Sequence, residues 1–83
     1  MEVVMFREIK KILEIAKAKG AADVMASITL QEDDDIKVAV HGIYRGSVLE
    51  FSVTQGRGAD EALTLTLLKQ EAESFDQYPV KHT

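Results

Sequence analysis

The hydrophobic period of this chain changes from three-to-four to two, and then back again, which leaves few folds open to it. In residues 2–19, Val3, Phe6, Ile9, Ile12, Leu13 and Ala16 recur at steps of three and four, setting them on one stripe of an amphipathic helix. The opposite side is charged, with Lys10 and Glu14, then Glu14 and Lys17, at spacings where side chains on a helix surface meet. Gly20 suits the left-handed position that closes many helices. From Val24 the period is two: Val24, Ala26, Ile28 and Leu30 point one way, Met25, Ser27 and Thr29 the other.

Two further alternating segments follow. Residues 31–35 (Gln-Glu-Asp-Asp-Asp) have no hydrophobic period and read as a loop. Ile36, Val38 and Val40 then face inward on a second strand. Residues 42–46 form a turn region bounded by glycines, and residues 47–54 give a third strand with Leu49, Phe51 and Val53 on one face and Glu50, Ser52 and Thr54 on the other. Gly56 and Gly58 mark the joint to a last helix over residues 60–75, where Asp60 is a favourable cap and Leu65, Leu68, Ala72 and Phe75 align. The competing signal is Leu63-Thr64-Leu65-Thr66-Leu67, which also alternates as a strand would. Pro79 bars a helix in residues 77–83, which read as a loose tail.

With 83 residues and no cysteine, the chain has room for one small domain that disulfides cannot staple. The fold expected is α+β in the order α-β-β-β-α: a three-stranded antiparallel sheet with both helices on one face, over residues 1–76. Met1-Glu2-Val3-Val4-Met5-Phe6-Arg7 lacks a basic start followed by an apolar run, so neither a signal peptide nor a membrane span is expected, and a cytoplasmic location is the default.

The order of elements, with glycines before the second helix, resembles the double-stranded RNA-binding domain over roughly residues 2–75. The resemblance implies RNA contacts from the first helix, from the loop between strands one and two, and from a lysine-rich start to the second helix. Here that start reads Gly56-Arg57-Gly58-Ala59-Asp60-Glu61-Ala62 and the loop is Glu32-Asp33-Asp34-Asp35, so acids stand where the family meets phosphate. Net charge agrees. Residues 1–20 hold five basic and three acidic side chains, but the whole chain carries −4, which disfavours polyanions.

Little catalytic or metal chemistry is visible. The acids at 32–35 lack the spacing and the glycine of a calcium loop, and Gly56-Arg57-Gly58 lacks a phosphate loop's GK[ST] ending. His41 and His82 have no nucleophile or ligand set nearby in sequence. No catalytic residue, metal or cofactor is therefore assigned. A helix facing the sheet through Leu65 and Leu68 sends Leu63 and Leu67 outward, and Met25 with Ala39 extends an apolar surface across the free side of the sheet. The expected function is a non-catalytic protein-interaction module, a homodimer or an accessory or inhibitory subunit, binding through Leu63, Leu67 and Met25. The alternative is a divergent binder of duplex RNA or DNA that uses Lys10, Lys11, Lys17, Arg45 and Arg57.

Overall fold

The structure, a computed structural model, describes residues 3–56, 58 and 60–77. Arg57, His82 and most of the expected tail lie outside the described residues, as do the side chains of Val3 and Val4. Helix α1 spans Val3–Ala18, strands β1 (Ala22–Leu30), β2 (Ile36–Tyr44) and β3 (Ser47–Gln55) follow, and helix α2 (Glu61–Ser74) continues into a 3-10 turn at Phe75–Gln77. The sheet is antiparallel in the order β1-β2-β3, with both helices on one face, α1 over β1 and α2 over β3. The α-β-β-β-α architecture read from the sequence is the one observed.

Local chemistry accounts for the joints. At the end of α1 the amide of Gly20 donates to Lys17 O and that of Ala21 to Ala16 O, a pair of bonds that needs the left-handed φ of 107° at Gly20. Residues 32–34 make a three-residue hairpin loop: Asp34 N donates to Gln31 O, Gln31 N donates to Asp35 O, and Asp34 takes the left-handed conformation at φ 66°. The second hairpin turns on Arg45 and Gly46 alone, both at positive φ (54° and 80°), which matches the twist of the flanking strands. The turn expected over 42–46 is therefore shorter, and β2 runs on to Tyr44. At α2, Asp60 Oδ1 accepts from Ala62 N at 2.9 Å, and the stretch that alternated like a strand is helical.

Ile9, Ile12, Val38, Val40, Phe51, Leu68 and Ala72 form the buried centre between the layers. Phe75 closes it, lying edge-on to Tyr44 with ring centroids 5.0 Å apart and stacked on Phe51 at 6.1 Å. Next to it, Lys19 Nζ meets Asp76 Oδ1 at 3.1 Å and ties the ends of both helices together. The two helices thus run in the same direction along the sheet.

Two expectations about facing change. Phe6 is not in the inward stripe: Met5 packs on the core in its place, about 100° round the helix, and the Phe6 ring is 65% exposed. On α2 the buried line is Thr64, Leu68 and Ala72, with Leu65 moved to its flank. A threonine is tolerated at that centre because its hydroxyl donates to Asp60 O within the helix, at 3.3 Å.

Candidate functional site

Among the described residues nothing forms a second layer on the face of the sheet away from the helices, and the side chains of that face are ordered by strand register. Met25, Ser27 and Thr29 come from β1, Lys37, Ala39, His41 and Ile43 from β2, and Val48, Glu50, Ser52 and Thr54 from β3. Pairing sets Met25 beside His41 and His41 beside Glu50, and it aligns Ser27, Ala39 and Ser52 in one row. Ala39 is buried although it faces this open side, because it is the small residue at the middle of the central strand.

Register creates one constellation that the linear sequence conceals. Ser27 Oγ lies 3.2 Å from His41 Nε2, and His41 Nδ1 lies 4.0 Å from Glu50 Oε2. Hydroxyl, imidazole and carboxylate thus follow one another in the order a proton relay needs. Their setting is the wrong one for acyl transfer. The row lies on a flat, open surface, and the strand amides around His41 are engaged in the ladder instead of converging on an oxyanion. Two concave places lie elsewhere: a cavity of about 290 Å³ between the helices is lined by Glu8, Ala62, Leu65, Thr66 and Lys69, and one of about 180 Å³ lies between the second hairpin and Phe75. Neither includes His41.

Met25, Ile43 and Val48 give the same open face an apolar end, all three being exposed. Met25 was expected there. Ile43 falls in the stretch expected to be a turn, Val48 in the expected third strand, and the tight two-residue hairpin brings them opposite one another. Leu63 and Leu67 are exposed on α2 as expected, on the flank turned away from the residues that line the groove with α1. They share no surface with Met25, which lies on the other side of the sheet.

The residues of the nucleic-acid alternative are scattered. Lys10 and Lys17 are exposed on the flank of α1 away from α2, whereas Lys11 is paired with Glu8 at 3.3 Å. Arg45 stands at the β2–β3 turn with its guanidinium 5.3 Å from the centre of the Tyr44 ring, at the end of the sheet opposite the start of α2. The start of α2 is acidic, with Asp60 and Glu61, and Gly56, just after the end of β3, lies beside Asp35 of the β1–β2 loop. Among the described residues no group of three or more histidines or carboxylates is arranged to hold a metal ion. No described helix is long and apolar enough to cross a membrane. Compared with known proteins, the chain matches no family model, no curated protein and no solved structure.

Proposed function

We propose that this chain is a non-catalytic protein-interaction module that works as a homodimer, a divergent relative of the double-stranded RNA-binding fold that uses the scaffold for self-association. The observation that carries this reading is the surplus of large apolar side chains left at the surface of so small a domain. Phe6, Ile28 and Leu30 are exposed at one side of the molecule, Met25, Ile43 and Val48 on the open sheet face, and Leu63 and Leu67 on α2. Singly exposed aliphatics are ordinary, but contiguous groups of them mark surfaces that another protein covers. Charge supports the same choice, because acids occupy two of the three places where the fold's RNA binders present contacts, namely the β1–β2 loop and the start of α2.

Light scattering over a range of protein concentrations tests the reading, with twice the mass of one chain expected. A mass of one chain at every concentration overturns it. A salt-dependent shift of duplex RNA, abolished by charge reversal at Lys10 and Lys17, would replace it with the nucleic-acid alternative.

A further inference from the structure

We infer that the two copies join through β1, which pairs antiparallel with its own counterpart about a two-fold axis at Ser27 and merges two three-stranded sheets into one. This rests on the homodimer reading above and names the surface that reading uses.

The first argument is backbone chemistry. β1 is an edge strand, so one side of it presents amides and carbonyls that only another strand can pair in series. Edge strands of monomers are ordinarily guarded by charge, proline or a bulge. Residues 24–30, Val-Met-Ala-Ser-Ile-Thr-Leu, contain no charge, no proline and no glycine. The bulge that β1 does possess, formed by Asp23 (φ 54°) and Val24 opposite Gly42, is confined to the first residue of this run and leaves Met25 to Leu30 in unbroken register with β2.

The second argument is an unfinished apolar row. Ile28 and Leu30 point to the side of the sheet that holds the core, yet they are 47% and 70% exposed because neither helix covers them. Phe6 belongs to the same surface: it lies about 21 Å up α1 from Gly20, and Ile28 lies about 23 Å along β1 from Ala21, so ring and side chain stand at one level. Centring the two-fold axis on Ser27 gives the longest overlap of the uncharged run with itself. It sets Val24 opposite Leu30 of the second copy and Ala26 opposite its Ile28, so each large exposed side chain meets a less exposed one, and the core-side row continues across the joint.

The third argument is charge. Antiparallel pairing sets the two β1–β2 loops, each with Glu32 and Asp33 exposed, at opposite ends of the joint, where each meets the start of the other copy's β1 with Asp23 and, in the last turn of α1, Lys17, while Lys19 is held by Asp76. Parallel pairing would set the two acidic loops side by side. Separation of the like-charged loops therefore selects the antiparallel arrangement.

Because the chain has no cysteine, single cysteines report the geometry directly. In this register the two Ser27 α-carbons are directly opposite, about 5 Å apart and within disulfide reach, whereas the two Thr29 α-carbons are about 13 Å apart along the strands. Mild oxidation is expected to convert Ser27→Cys to a linked dimer, to leave Thr29→Cys unlinked, and to link Met25→Cys with Thr29→Cys when the two are mixed. Ile28→Lys, a change at an exposed site, is expected to keep the circular dichroism of the fold and weaken association at least tenfold. A protein that is dimeric by light scattering but fails to link through Ser27→Cys, or stays dimeric with Ile28→Lys, overturns the strand pairing and leaves the homodimer reading intact. A protein that is monomeric throughout overturns both.

Discussion

β1 and β3 are both nine-residue edge strands flanking the same central strand, yet their core-side residues are treated differently. On β3, Leu49 and Val53 are half-buried and Phe51 is buried, because α2 lies over that strand and Phe75 stacks on Phe51. On β1, Val24 and Ala26 pack against the core while Ile28 and Leu30 stand clear of it. The edges also differ in guarding charge: β3 carries Glu50 at its middle, and β1 carries nothing charged after Asp23. Two strands of equal length and similar alternation thus become a finished edge and an unfinished one. What separates them is which helix supplies a large ring at the right level. α2 continues into Phe75, which enters the core, whereas the ring that α1 offers over the far half of β1 is Phe6, turned mostly to solvent.

Paired truncations test this contrast most strongly. Phe51→Ala is expected to lower unfolding stability by about 3–5 kcal/mol, since it removes a buried ring from the closed edge. Ile28→Ala, at the open edge, is expected to cost under about 1 kcal/mol in urea unfolding at a concentration where the chain is monomeric. Equal costs at the two sites would end the distinction.

The next effect concerns how β1 is attached. A Cβ at Gly42 would lie 3.0 Å from both Ala22 O and Val24 Cγ1, so Gly42→Ala presses on the bulge at the start of β1. A loss of about 1–3 kcal/mol is expected. Amide hydrogen exchange should quicken at residues 22–25 of β1 before it does on β3; uniform quickening would show that the two edges do not open independently. The smallest effect belongs to the cap of α2. Asp60→Ala is expected to cost about 1 kcal/mol by removing the acceptor for Ala62 N. Exchange from β1 should be unchanged, and a change there would link the cap to the open edge.

Much of this architecture was written in local pattern. Helix α1 was legible because its apolar steps repeat over four turns, and α2 because Asp60 caps it and Leu68 and Ala72 keep the period. Facing was less legible. Met5 and Phe6 are both large, apolar and adjacent, so periodicity alone could not say which enters the core. The row of Ser27, His41 and Glu50 was invisible for a different reason. It depends on Ser27 and His41, 14 residues apart, meeting diagonally across the β1–β2 pairing and on a bulge between Ala22 and Met25, and one residue of slip turns every side chain of a strand to the other face. The two-residue turn was concealed by Arg45, whose side chain gives no sign of the left-handed backbone it adopts.

The closure made by Phe75 and Asp76 sets an order of events in folding. Lys19 and Asp76 are separated by 57 residues, and Phe75 reaches back to rings on β2 and β3. While the chain is being synthesised, α1 and both hairpins can form from neighbouring residues, but the core cannot be sealed until the segment at 75–76 has emerged. Throughout that interval the apolar side of the sheet waits with one of its two helices missing. A nascent chain paused before Phe75 should therefore be protease-sensitive, and one extended past Asp76 should acquire resistance in a single step.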